Sequence, residues 1–198
     1  MVRDMSRDEP RPWRVLDSRT LVDAPPFLRV RVESVELPDG RRVDDYYQFD
    51  MPSFACIFAE TDDGRVIVFR QYRHGLRGTC HVFPGGHLEP GEDPLTAAQR
   101  ELREETGYES GDWTDLGGYL VNSNQGGSVS HMFHARGCRL TGGTTADDLE
   151  ESRMLLLTRA EVADLAGRGG FPLLTQIALL AMVTNRDLAE RLGKGGGA

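Results

Sequence analysis

The stretch that decides the fold is Gly86–Tyr108, with the sequence GHLEPGEDPLTAAQRELREETGY. Its second half predicts a helix, because Asp93 can cap the first turn, Pro94 suits the first helical position and Gly107 suits the end. The residues just before it, 83–92, are too rich in Gly and Pro to form regular structure. We therefore expect a Gly/Pro-rich loop that leads directly into a helix ending near Thr106.

The predicted helix carries three carboxylates on one side. At about 100° per residue, Glu101, Glu104 and Glu105 occupy an arc of roughly 100°. Like charges this close repel each other unless a cation neutralises them, and Mg²⁺ or Mn²⁺ prefers such oxygen ligands. Arg100 and Glu92 are predicted to shape the site rather than to bind metal. The alternative is a solvated acidic face with ordinary salt bridges, but the loop, whose backbone carbonyls can face a metal, favours the metal site.

The regions around this stretch predict a mixed α/β sandwich. Residues 13–52 should form a small antiparallel β subdomain, since apolar residues alternate with arginines from Leu28 to Val32 and Pro38-Asp39-Gly40 marks a turn. Thr158 and Glu161 predict a capping box for a second helix. Further strands are predicted at 55–60, 65–72, 81–83, 113–121, 128–135 and 154–157, and a closing helix at 173–192.

The chain length limits the number of domains, and the net charge limits the kinds of partner. A chain of 198 residues suits one domain with a small subdomain. We predict a catalytic domain at 53–192 and frayed ends at 1–12 and 193–198, which are polar or Gly-rich. A net charge of −8 argues against a nucleic-acid partner. No apolar run reaches the roughly 20 residues of a membrane span, and no signal peptide is evident, so we expect a cytoplasmic protein.

The cysteines and strand histidines are not predicted to bind metal. Cys56, Cys80 and Cys138 are widely spaced and odd in number, which fits neither a disulfide framework nor paired zinc-ligand spacing. His131 and His134 lie on a predicted strand and are separated by three residues, so their side chains should point to opposite faces. Small buried thiols and isolated imidazoles are the simpler interpretation.

The central stretch resembles the Nudix box. Gly86, Glu92 and the run Arg100–Glu105 stand at the specified spacings, followed by Thr106-Gly107 and by Tyr108, where the family usually has an aliphatic residue. The resemblance implies the Nudix α/β/α sandwich with a mixed sheet, and hydrolysis of a nucleoside diphosphate linked to another moiety. It also implies that Mg²⁺, with Mn²⁺ as a substitute, is bound by Glu101, Glu104, Glu105 and the carbonyl of Gly85.

Features outside the box look like the ADP-ribose pyrophosphatase subgroup: LPDG at 37–40, RQYRH at 70–74 and DLEES at 148–152. This resemblance implies a homodimer formed through the N-terminal β subdomain, and ADP-ribose or a nucleotide sugar as the first substrates to try. We predict that Tyr46, Arg73 and Asn124 bind substrate. For Tyr46 and Arg73, packing on a β surface is an equally good interpretation.

Three departures from the subgroup leave alternatives open. Val82 stands where a glutamate is typical, and the loop 121–128 lacks the proline of ADP-ribose enzymes. In the late loop, Asp147, Asp148, Glu150 and Glu151 compete for the role of base or metal ligand, and we choose Glu150 for its spacing to the following strand. Water would then be activated by Mg²⁺ and by Glu101 or Glu150, and Glu105 should also be essential for catalysis. The competing hypothesis is a nucleotide-binding sensor with little or no catalysis, and a structural or partner-binding protein is the third.

Overall fold

The structure, a computed structural model of the 198-residue chain, describes residues 10–143 and 152–185. Of the predicted frayed ends at 1–12 and 193–198, residues 1–9 and 193–198 lie outside the described residues, as does the predicted base Glu150. The chain divides into two compact units. The first contains the residues up to Pro52 together with Asn122–Ser128, and the second contains Ser53–Val121 and the residues from Val129 onward.

The described residues of the first unit form three antiparallel strands, which are β1 (Arg14–Ala24), β2 (Leu28–Glu36) and β3 (Arg42–Asp50). The predicted turn at Pro38–Gly40 joins β2 to β3, and Gly40 adopts a φ of 86°, which suits a residue without a Cβ. β1 is exposed along its whole length, so its sequence carries no alternation that predicts a strand.

The second unit contains a mixed sheet. Its strands are β4 (Phe54–Thr61), β5 (Val66–Arg73), β6 (Gly78–Val82), β7 (Tyr108–Glu109), β8 (Asp112–Asn122), β9 (Gly126–Leu140, which begins in the first unit) and β10 (Ser152–Leu157). The order is β9-β4-β5-β10, with β4 parallel to β9 and the other neighbours antiparallel. β6 pairs with β5, while β7 and β8 pair with β9. The predicted strands are confirmed, although β9 runs to Leu140 rather than to residue 135 and β6 covers Gly78–Val82 rather than 81–83.

In the part of the chain that the structure describes, three helices cover this sheet: α1 (Pro94–Thr106), α2 (Arg159–Gly167) and α3 (Leu174–Thr184). Alternate residues of β4 face opposite sides, as strand geometry requires. Ala55, Ile57 and Ala59 pack with Ala98 and Leu102 of α1. On the other side, Cys56 and Phe58 pack with Val162 of α2 and with Leu179 and Val183 of α3. The predicted α/β sandwich is therefore confirmed, with α1 on one face of the sheet and α2 and α3 on the other.

The predicted ends of α1 and the predicted start of α2 are confirmed in detail. The Asp93 side chain accepts a hydrogen bond from the Thr96 backbone N–H (3.0 Å), and Gly107 ends α1 with a φ of 72°. The Thr158–Glu161 capping box at the start of α2 has both of its hydrogen bonds. The predicted closing helix at 173–192 is wrong in its extent: α3 ends at Thr184, because Asn185 has extended backbone angles (φ −88°, ψ 98°), and residues 186–192 lie outside the described residues. Within the described ranges, no helix is both long enough and apolar enough to cross a membrane.

Candidate active site

The loop between β6 and α1 is fastened to β4 by backbone hydrogen bonds. The Ala55 N–H donates to the Gly86 carbonyl (2.8 Å) and the Ile57 N–H donates to the Pro84 carbonyl (2.9 Å). Gly85 lies so close to β4 that a Cβ at this position would fall 2.1 Å from the Ala55 carbonyl oxygen, and its φ is 149°. Only glycine fits there. The loop thus holds a fixed position in front of α1.

Glu105, at the end of α1, is tied to this loop. The Gly85 N–H donates a 2.9 Å hydrogen bond to Glu105 Oε2. Both residues are partly buried. The structure therefore brings together two residues that the Nudix box implies as metal ligands, although the contact that it shows is between the Gly85 N–H and the carboxylate.

Glu101 occupies space that the loop leaves free. A Cβ on Gly86 would lie 2.4 Å from the carboxyl carbon of Glu101, so Gly86 makes room for this carboxylate. Burial raises the pKa of Glu101, and the charges of Glu104 and Glu92 add to this effect, while the hydrogen bond and charge of Arg100 oppose it. The charge on Glu101 is therefore under-compensated by the protein, which is the condition under which a carboxylate benefits from an added cation.

Arg100 lies at the centre of the acidic cluster. Its Nε and Nη2 donate to the two oxygens of Glu92, each at 2.9 Å, and Nη2 also donates to the His87 carbonyl (3.1 Å). Its Nη1 donates to Glu101 (2.8 Å) and to Glu104 (3.2 Å). One guanidinium thus orients three carboxylates, and these contacts raise its own pKa. These contacts agree with the prediction that Arg100 and Glu92 shape the site.

The donor atoms of the cluster are of the type that suits a divalent cation, but the side chains are not yet arranged as a complete coordination site. Glu92, Glu101 and Glu104 place three carboxylates around the guanidinium of Arg100, and Glu105 on the same helix accepts a hydrogen bond from Gly85. Carboxylate oxygens are the donors that hard divalent ions prefer. In residues 10–143 and 152–185, no group of three or more His, Cys, Asp or Glu side chains is already arranged to hold a metal. The fit therefore rests on the excess of negative charge and on the raised pKa of Glu101.

Two of the residues predicted to bind substrate meet each other in the first unit. The Tyr46 hydroxyl donates to the Asn124 carbonyl (2.7 Å), and the Gln48 side-chain amide donates to the same oxygen (3.0 Å). The ring of Trp13 contacts Tyr46 edge-on at 5.2 Å. Tyr46 therefore anchors the loop that carries Asn124. Gln48 was missed by sequence reasoning, although the two-residue repeat of a strand places it on the same face as Tyr46.

The remaining predicted positions lie at the ends of β5 and β6. Arg73 is half-buried at the last residue of β5. Val82 is 2% exposed and belongs to an apolar cluster with Phe69 and Cys80. Valine in place of the subgroup's glutamate thus contributes to core packing. No carboxylate comes from this position.

The thiols are structural. Burial raises the pKa of Cys56 to about 12 and that of Cys138 to about 11, so both remain protonated at neutral pH. Cys80 is also buried. As expected, none of the three cysteines forms a disulfide.

The fold and the site define a mixed α/β protein whose acidic helix follows a glycine-rich loop fastened to the sheet. Comparison with known families agrees with this class: residues 50–174 match the NUDIX domain, and residues 13–49 match the N-terminal domain of nucleoside diphosphate sugar hydrolases. The chain belongs to the Nudix family. Members of this family generally use a divalent metal ion.

Individual relatives extend the comparison. ADP-ribose pyrophosphatase from Bacillus subtilis is 36% identical over 104 residues, which are 52% of this chain and 56% of that protein. The chain thus spans little more than half the length of this relative. CMP-5'-(N-acetyl-N-hydroxy-3-aminopropyl)phosphonate hydrolase from Streptomyces rubellomurinus is 32% identical over 143 residues, or 72% of this chain and 69% of that protein. A crystal structure of an ADP compounds hydrolase superposes with a TM-score of 0.76 at 22% identity, covering 96% of this chain and 98% of that one, and supports the fold.

Proposed function

We propose that this protein hydrolyses the pyrophosphate bond of a nucleoside diphosphate linked to another moiety, with ADP-ribose or a nucleotide sugar as the first substrates to test. The observation that carries the proposal is the excess of carboxylates around Arg100, on the helix and loop of a Nudix domain. The names of the relatives support the substrate class, since they include an ADP-ribose pyrophosphatase and a hydrolase of a CMP-linked phosphonate.

We propose Mg²⁺ as the metal, with Mn²⁺ as a substitute, held by Glu101, Glu104, Glu105 and the carbonyl of Gly85. Such an ion would neutralise diphosphate charge and lower the pKa of a bound water. The chain's own groups set up this arrangement. The Gly85 N–H orients Glu105. Arg100 orients Glu101 and Glu104 through its Nη1. Glu92 in turn fixes the guanidinium by accepting from its Nε.

In the proposed reaction, the oxygen of a water molecule attacks one phosphorus and the bridging P–O bond breaks. The products are a nucleoside monophosphate and the phosphorylated remainder of the substrate. A carboxylate accepts the proton that water loses. Glu101 suits this role because burial raises its pKa, with Glu150 as the alternative base.

We further propose that Tyr46, Arg73 and Asn124 contribute to substrate binding, Tyr46 by fixing the loop of Asn124. The proposed organisation is an N-terminal β subdomain at 13–52 and a catalytic domain at 53–192. A homodimer formed through the N-terminal subdomain and a cytoplasmic location complete the proposal.

A nucleotide-binding protein without catalysis is the second candidate. The observation favouring it is Val82, which is packed into an apolar cluster and leaves the site without the carboxylate usual at that position. Loss of one carboxylate reduces the number of metal ions that the site can hold. Binding and turnover measured on the same compounds separate the two functions.

The test is a panel of nucleoside diphosphate sugars with Mg²⁺, with both products identified. We expect turnover of at least one compound, and we expect Glu105→Gln to lower it by at least about a hundredfold, because the ligand charge is lost. The control is Glu109→Gln on β7, which is exposed and outside the cluster. Normal turnover by Glu105→Gln contradicts the assigned site, and tight calorimetric binding without turnover supports the second candidate.

A further inference from the structure

A second charged cluster lies on the face of the sheet that α2 and α3 cover. Glu60 follows Cys56 and Phe58 in the alternation of β4, which directs it to this face. Glu60 is 9% exposed, and His134 on β9 is 8% exposed. Titratable groups as buried as these require partners, and the proposed reaction uses neither of them.

Glu60 binds two partners through short hydrogen bonds. Arg159, the first residue of α2, donates Nε to Oε1 (2.7 Å) and Nη2 to Oε2 (2.6 Å). His134 Nε2 lies 2.6 Å from Oε2. Burial alone would raise the pKa of Glu60, but the hydrogen bonds from His134 and Arg159 outweigh it and lower the pKa to about 2. Because an ionised carboxylate only accepts, His134 Nε2 must carry the proton of this hydrogen bond.

The other ring nitrogen of His134 faces a donor. Arg136 Nη1 lies 3.2 Å from His134 Nδ1. The same guanidinium donates Nε and Nη2 to the two oxygens of Asp112 on β8 (2.9 and 2.8 Å), and Nη2 also to Thr114 (3.0 Å). A guanidinium has no acceptor, so Nδ1 must be the acceptor in this contact. The contacts on both sides therefore define a neutral imidazole with its proton on Nε2.

The charges around the imidazole balance. The groups that face it are Glu60 from β4, Arg136 from its own strand, and, one step further, Arg159 from α2 and Asp112 from β8. The Phe58 ring closes one side, with its centroid 5.6 Å from the imidazole. Two carboxylates oppose two guanidiniums, and a neutral imidazole joins the two ion pairs.

We propose that Asp112, Arg136, His134, Glu60 and Arg159 form a proton-sensitive clasp, in which neutral His134 joins two ion pairs and a proton on Nδ1 separates them. Protonation turns Nδ1 into a donor that faces the donor Arg136 Nη1, so that contact breaks and the two cations repel each other. The contact with Glu60 survives, because Nε2 still donates. The clasp therefore opens on the side of β8 and stays closed on the side of α2.

The clasp does not depend on the proposed catalytic activity, and its first test needs no variant. Imidazole nitrogen NMR on the full chain, labelled with ¹⁵N-histidine, reports which ring nitrogen carries the proton. At a pH where His134 is neutral we expect protonated Nε2 and bare Nδ1. A neutral form with the proton on Nδ1 overturns the proposal.

The second test removes the arginine that faces Nδ1. In Arg136→Met, we expect the imidazole of His134 to take up its second proton at a higher pH than in the unchanged protein, because a donor and a positive charge are gone. The control is Arg139→Met, which removes a charge from the same strand at an exposed ion pair with Asp62. An unchanged His134 titration in Arg136→Met, or an equal shift in Arg139→Met, overturns the proposal.

The third test locates the opening by hydrogen exchange, corrected for the intrinsic pH dependence of exchange. As His134 becomes charged, we expect faster exchange of the amides at 113–114 in β8, while the Val162 amide, bonded to the Thr158 carbonyl in α2, keeps its protection. Faster exchange confined to α2 contradicts the proposed direction of opening. His134→Gln, whose amide both donates and accepts without titrating, should remove the pH dependence at β8.

Discussion

Two clusters of carboxylates and arginines lie on opposite faces of the same sheet, and they differ in charge balance. At the α1 site, Arg100 contacts three carboxylates, and Glu105 on the same helix accepts a hydrogen bond from the loop. In the clasp, the carboxylates of Glu60 and Asp112 are matched by two guanidiniums. The residue types are the same, but only the α1 site has an excess of negative charge.

The difference appears in the pKa shifts of two glutamates, the partly buried Glu101 and the buried Glu60. Burial is the main cause that raises the pKa of Glu101. For Glu60, burial also acts to raise the pKa, but the hydrogen bonds from His134 and Arg159 outweigh it and lower the pKa to about 2. A carboxylate with fully matched charge contributes to stability by itself. A carboxylate with unmatched charge contributes to stability only when a cation binds beside it, and this property suits a metal-binding site.

The largest predicted effect concerns the backbone on which the α1 site depends. Gly85→Ala should destabilise the fold by at least about 4 kcal/mol, since a Cβ would lie 2.1 Å from a backbone oxygen that cannot move without disturbing β4. Gly86→Ala is the matched control. Its Cβ meets the end of the flexible Glu101 side chain, so stability should change little while turnover falls. Urea unfolding and activity assays measure both variants, and equal destabilisation by the two changes would contradict this account.

The second prediction tests the balanced cluster. Glu60→Gln should lower the free energy of unfolding by about 3 kcal/mol at neutral pH, because it leaves Arg159 without a matching charge. Glu60 has a lowered pKa in the folded state, so its contribution is fully present above about 4.5 and disappears as the pH falls toward about 2. The difference between the two proteins in urea unfolding should therefore shrink over that range. A difference that persists at low pH would show that the effect comes from packing.

Sequence alone predicted the α1 site because its signals are local. The capping residue Asp93, the terminal Gly107 and the grouped glutamates lie within one short stretch, where helix geometry decides which side chains share a face. Most strands and the sandwich followed from alternation and turn residues. Gly85 could also be read from the sequence as a loop residue, but its close approach to Ala55 depends on where β4 lies.

The clasp was not predicted because its residues are far apart in the chain. Glu60 and Arg159 are separated by 99 positions and Glu60 and His134 by 74, and no pattern of spacing connects them. β1 was missed as a separate strand for a different reason, since its exposure on both faces leaves no apolar alternation to read. In both cases the structure depends on contacts between distant parts of the chain, which a local sequence pattern does not show.

The smallest predicted effect is on Glu101, and its sign is opposite to that of Glu60. The pKa of Glu101 is higher in the folded protein than in the unfolded chain, so the unfolded chain gives up its proton at a lower pH. The metal-free fold therefore loses stability as the pH rises from the unfolded pKa to the folded pKa. Glu101→Gln, which can still accept a hydrogen bond from Arg100, should therefore stabilise the metal-free protein at neutral pH, within about 1 kcal/mol, while reducing turnover.

Thermal unfolding with and without Mg²⁺ measures this effect, and Glu89→Gln in the same loop, exposed and outside the cluster, is the control. Added Mg²⁺ should raise the unfolding temperature of the unchanged protein and of the control more than that of Glu101→Gln, because only the first two retain the unmatched charge. Destabilisation by Glu101→Gln without metal would mean that Arg100 already compensates this carboxylate. The contrast between an unbalanced binding cluster and a balanced structural one would then be lost.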